Sequence, residues 1–156
     1  MDLSGVGGVS GIEHAADNPL VQTQAARQLR VADALFAHCQ VERELRGKLL
    51  RLRQGYAAAA GDPAALGELA SRSAATIMVL LRALLVLLGR PVPGDPLELA
   101  AAAAGAIGID GEPWLRVIRH RGESGWRCTT SEFEDYLDAM ARATVFVDQL
   151  QLGEQR

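Results

Sequence analysis

Two groups of basic side chains are the residues best able to do chemistry in this chain. Arg43, Arg46, Lys48, Arg51 and Arg53 lie in RELRGKLLRLRQ, and Arg116, Arg119, His120 and Arg121 lie in RVIRHR. Guanidinium groups hold phosphates bidentately, so either group could grip a nucleotide or an RNA backbone. In the second group His120 could move a proton near neutral pH while Arg116 or Arg119 stabilises charge on phosphorus. The alternative is a solvated helix face laced with ion pairs. Glu42→Arg46 and Glu44→Lys48 are i,i+4 pairs in the favourable order, worth a few tenths of a kcal/mol each. RVIRHR contains no acid, so the second group favours binding more than the first does. Arg72 and Arg82 fall within an otherwise apolar stretch, where a charge must be paired, face a cleft or mark a wet edge. Arg72, Arg82, Arg46 and Arg53 are therefore the candidate phosphate or ligand contacts, and Arg116, Arg119 and His120 the weak catalytic candidates.

Other chemistries find little support. His14, His38 and His120 are scattered, and none has a second His or Cys at metal-ligand spacing. There is no HExxH, no CxxC and no Glu-x-x-His pair of the di-iron type. A haem would need an inward histidine with its own cavity, a place only His38 could fill, and a structural or surface histidine is the simpler reading. GVGGVSG near the start has glycines without a preceding strand or a GK[ST] ending, so it is not a phosphate loop. No nucleophile carries a GxSxG-type signature. Neither a metal nor a cofactor is expected.

The elements that must position these residues read as helices. Residues 1–17 are rich in Gly, Ser and Asp without periodicity and read as a leader, so the domain is expected at 18–152. From Asn18-Pro19, a cap followed by a first-turn proline, apolar residues recur at Val21, Ala25, Leu29, Ala32, Phe36 and Cys39. The phase then slips, and the next stripe is Val41, Leu45, Leu49, Leu52 and Tyr56, within an arc of about 80°. A break or kink is predicted near His38–Gln40 and an end near Gly61. Asp62-Pro63 opens a second helix with Leu66, Leu69, Ser73, Ile77, Leu80, Leu84 and Leu87 inward. Beyond Thr76 it is apolar almost all round, as the central helix of a bundle would be, and Gly89, Pro91, Pro93 and Gly94 stop it. Asp95-Pro96-Leu97-Glu98 caps a short alanine-rich helix ending near Gly105–Gly108. Asp110-Gly111-Glu112-Pro113 starts another, with Trp114, Val117 and Ile118 on its apolar side. After a loop at Gly122–Gly125, Ser131-Glu132-Phe133-Glu134 reads as a capping box opening a last helix, with Phe133, Tyr136, Leu137, Met140, Thr144 and Val147 inward. The fold expected is all-α, an antiparallel bundle of four or five helices.

Composition agrees. Of 156 residues 49% are hydrophobic, enough to offset the entropy of folding, and only 4% are aromatic, too few for an all-β core. The net charge of −3 provides no global field for nucleic acid. Two isolated cysteines, Cys39 and Cys128, suit a reducing cytoplasm better than a disulfide framework. The apolar run from Ala74 to Leu88, interrupted by Arg82, reads as a core helix too short to span a bilayer.

QVERELRGKLLRLRQGYAAAAGDPAAL (Gln40 to Leu66), followed by SRSAATIMVLLRALLVLLGRPVP (Ser71 to Pro93), resembles a bacterial group of nucleotidyltransferase-related proteins. In these, a polymerase-β-like nucleotidyltransferase domain precedes an all-α domain similar to HEPN domains. The resemblance covers residues 40 to 150 and is carried by overall texture rather than by invariant catalytic letters. The GS and DxD letters that hold Mg²⁺ in the nucleotidyltransferase core have no counterpart here. The Arg-x4-6-His pattern of HEPN ribonucleases is not matched either: Arg116 precedes His120 by three intervening residues and Arg30 precedes His38 by seven. The resemblance thus implies a non-catalytic helical module, detached from its catalytic half, that partners a nucleotidyltransferase domain or a second copy of itself. A divergent HEPN-type ribonuclease and a nucleotide-binding or small-molecule-binding bundle are the alternatives.

Overall fold

The computed structural model describes residues 19–150; the leader expected at 1–17, the cap Asn18 and the last two residues of the expected domain lie outside the described residues. Five helices follow one another: α1 (Pro19–Ala59), α2 (Pro63–Leu87), α3 (Pro96–Ile107), α4 (Glu112–Arg119) and α5 (Thr130–Gln149). There is no strand among the described residues, so the all-α class is observed. The chain divides into two compact units, one ending at Phe36 and one beginning at Ala37, and each is described by itself.

In the second unit the core is built where the apolar stripes place it. Val41, Leu45, Leu49 and Leu52 of α1 are buried with Leu66, Ala70, Ala74, Ile77, Leu81 and Leu84 of α2. Residues of α1 from His38 onward run antiparallel to α5. At one end His38 Nε2 donates to the Val147 carbonyl at 2.6 Å, and at the other the Tyr56 ring stacks on Phe133 with centroids 5.7 Å apart. His38 is thereby a structural histidine with its ring nitrogen satisfied. α2 packs on α3, α4 and α5, and α4 lies between α3 and α5. Ala100, Ala103 and Ala104 of α3 are buried, small enough to let neighbouring backbones approach.

Helix starts are set by local chemistry. Asp62 accepts from Ala64 N, and Asp95 accepts from Leu97 N and Glu98 N, each just ahead of a first-turn proline. The three-residue turn from α1 to α2 forces Ala60 to φ 48, a left-handed conformation a Cβ resists.

Four expectations change. The backbone of α1 is helical at His38–Gln40, so the break that was one form of the expected break or kink does not occur. The phase slip instead marks where burial begins, because no residue from Pro19 to Phe36 is buried. α2 is not enclosed all round: Val79, Arg82 and Val86 are exposed along one side. Arg82 therefore marks a wet edge and does not sit inside. At 25 residues α2 is also long and apolar enough to cross a membrane by length and composition, contrary to the shorter run expected, although half of its most apolar window is buried in the fold. Finally, the capping box of α5 belongs to Thr129, not Ser131. Thr129 Oγ1 accepts from Glu132 N, and the Glu132 carboxylate accepts from Thr129 N.

Candidate functional site

The residues of RVIRHR sit at the end of α4 and enter the loop toward α5, and each is held by a neighbour. Arg119 donates to Glu112 at 2.8 Å, and Arg116 faces Glu132 at 3.9 Å. His120 Nδ1 lies 2.7 Å from a Glu123 carboxylate oxygen, and its ring stacks on Trp126, 4.3 Å between centroids and 7° from parallel. Ser71 of α2 fixes the backbone beneath: its hydroxyl donates to the His120 carbonyl and accepts from Gly122 N, both at 3.1 Å. Arg121 reaches back over α2 to the Met78 sulfur at 3.1 Å. Arg116, Arg119 and His120, which look free in the sequence, are thus partnered by Glu132, Glu112 and Glu123, acids outside the RVIRHR stretch, whereas Arg121 has only the Met78 contact.

The loop is seated by a close approach of backbones. Cys128 N donates to the Pro63 carbonyl at 3.0 Å, and a Cβ built on Gly67 would stand 1.8 Å from the Trp126 carbonyl oxygen. Only glycine fits at 67. Cys128 is buried, which pushes its thiol up to about 11, with Glu132 adding to the shift and Arg116 opposing it. It is a packing cysteine and not a nucleophile. Cys39 is exposed and also free.

Two clefts flank this region. The first, of about 260 Å³ between α4 and α5, takes in Arg116 and Arg142 but also Asp110, Glu112, Asp135 and Asp138. Four carboxylates against two guanidiniums make it a poor phosphate site, and His120 does not line it. The second, of about 370 Å³, lies between α2 and residues 122–125 and takes in Arg72, which is already paired with Glu68. Arg72 and Arg82 stand ten residues apart on α2, about 15 Å along its axis, and do not converge. On α1, Arg46 pairs with both Glu42 and Asp148, whereas Arg53 is exposed without an ion pair among the described residues. Among the described residues no group of three His, Cys, Asp or Glu is placed to hold a metal ion.

The feature that reading for charge overlooked is apolar. From Pro19 to Phe36 the helix exposes Leu20 at 76%, Leu29 at 66% and Phe36 at 73%, with Val21, Val31 and Leu35 also exposed. Val21, Ala25, Leu29, Ala32 and Phe36 fall within an arc of about 80° on that surface. Arg27 and Arg30 project from the other side. A helix of 18 residues with no buried side chain is marginal in water, because its stability normally comes from packing an amphipathic face. The signal was present in the sequence as the slip of phase near His38.

Compared with known proteins, the chain matches no family model, no curated protein and no solved structure.

Proposed function

We propose that this chain is a non-catalytic helical interaction module whose contact surface is the apolar face of residues 19–36. The observation that carries the proposal is that face: five apolar positions in one stripe, on a helix that buries nothing else in that stretch. An exposed stripe of this kind marks a protein contact more often than a solvated surface. The paired state of Arg116, Arg119 and His120 supports the same reading, since each group already satisfies a carboxylate. The HEPN-like architecture and a nucleotidyltransferase-related companion belong to the proposal through the resemblance of residues 40–150. The free thiols Cys39 and Cys128 support a reducing, cytoplasmic setting.

Amide hydrogen exchange across residues 19–36 tests it. The chain is measured alone over a concentration series and again with a nucleotidyltransferase-related protein from the same genome. Protection of these amides in at least one mixture is the expected result. Exchange at free-helix rates throughout would overturn the reading, as would cleavage of single-stranded RNA that disappears in His120→Ala.

A further inference from the structure

We infer that the occupant of the 19–36 face is a second copy of this chain, docked antiparallel about a two-fold axis near residues 30 and 31. The inference rests on the interaction-module reading and adds the partner and the register. A two-fold contact is self-complementary: if residue i meets residue j, then j meets i. In the antiparallel register Leu29 faces Ala32 of the second copy, and Phe36 faces Ala25. Each of the four layers then sets one large side chain against one small one, the size alternation that close-packed helix pairs need. A parallel pair would instead place Phe36 on Phe36 and Ala32 on Ala32, alternating overfilled and empty layers.

Charge and area agree with this arrangement. Arg27 and Arg30 project from the other side of the helix, roughly 130° or more from the centre of the seam at 100° per residue, and stay in water. Antiparallel helices also oppose their dipoles. With most of the large exposed surface of Leu29 and Phe36 lost, and less by the flanking Val21 and Leu35 and by each alanine, a copy buries roughly 500 Å². The pair then buries about 1,000 Å², the lower bound for a specific interface and appropriate to a reversible dimer.

The test is a size swap read by sedimentation equilibrium on the full chain. Leu29→Ala leaves two alanines facing each other, and Ala32→Leu sets two leucines together. Each is expected to weaken the dimer about tenfold or more, a difference of about 1.4 kcal/mol. Leu29→Ala combined with Ala32→Leu rebuilds large against small and is expected to recover to within about threefold of wild type. Both residues are exposed and both replacements are good helix formers, so the fold is retained, and circular dichroism verifies it. A wild-type chain that stays monomeric at hundreds of micromolar overturns the inference. So does a swap no tighter than the single variants, or a monomer that binds vesicles of anionic lipid through this face. A monomer whose 19–36 amides are protected only by the nucleotidyltransferase-related protein removes the second copy and leaves the module reading standing.

Discussion

Gly67→Ala probes how the loop carrying His120 and Trp126 is held. In most helical positions this change stabilises by about 1 kcal/mol, because alanine loses less backbone freedom. At position 67 the new Cβ would lie 1.8 Å from the Trp126 carbonyl oxygen and 2.7 Å from its carbon. Residues 126–128 cannot simply swing away, since Cys128 is buried, its N–H is bonded to the Pro63 carbonyl, and Thr129 caps α5. Overpacking costs about 1–3 kcal/mol and loss of the Cys128–Pro63 bond about 1 kcal/mol. Setting the propensity gain against these leaves a net loss of about 2 kcal/mol, or about 4–8 °C in Tm for a chain of this length. Gly105→Ala is the control: its Cβ meets nothing within 4 Å, so that variant should gain up to about 1 kcal/mol. Gly55→Ala, which presses only on the Leu69 side chain, should fall between them. Urea and thermal unfolding of the three variants give the order, and Trp126 fluorescence reports whether its stacking on His120 has shifted. Gly67→Ala as stable as wild type, or Gly105→Ala equally damaging, would refute the close approach as the cause.

Three further outcomes follow from buried or capping groups. Ser73 donates to the Ala70 carbonyl at 2.7 Å, so the Tyr136 hydroxyl must donate to Ser73 Oγ at 2.6 Å. Ser73→Ala strands a buried phenol and should cost about 1–3 kcal/mol in urea unfolding, more than the roughly 1 kcal/mol of Tyr136→Phe, which leaves Ser73 partnered. Thr129→Ala should cost about 1 kcal/mol and Ser131→Ala less than about 0.5 kcal/mol, in the order set by the observed cap. Burial raises both the Cys128 thiol, to about 11, and the Tyr136 phenol. Both are neutral in the fold at neutral pH, and an unfolded chain would release their protons first. Stability should therefore hold up to about pH 8.5 and decline from about pH 9 upward as the unfolded thiol and then the unfolded phenol ionise. At pH 8 iodoacetamide should label Cys39 and spare Cys128, which mass spectrometry reads directly.

The helical class was legible because burial follows period. Leu66, Ser73, Ile77, Leu80 and Leu84 are buried where spacing along α2 placed them, and Phe133, Tyr136, Met140, Thr144 and Val147 likewise along α5. Ser73, a polar member of the α2 stripe, finds its partner in Tyr136, so the stripe identified it without naming the bond. Caps were legible to within a residue or two. Thr129 and Ser131 both precede plausible partners, and only the backbone turn decides that Glu132, three residues after Thr129, can reach back.

What the residue pattern could not supply is pairing at a distance. Arg46 meets Asp148 and Arg116 meets Glu132, and neither acid is near its arginine in sequence. A run of basic residues therefore overstates the free positive charge of the face it occupies. The slip of phase near His38 invites the opposite error. A change in the facing of an apolar stripe is read most simply as a break between two helices, because one helix in one core has one buried side. In α1 the helix continues and it is the environment that changes: residues from Val41 on face a core, while Val21, Ala25, Leu29, Ala32 and Phe36 face solvent. A helix that keeps an ordered apolar stripe where it buries no side chain is already patterned for a further surface. The alternation of large and small along that stripe then narrows the surface to one of matching alternation, a requirement the same helix meets when reversed.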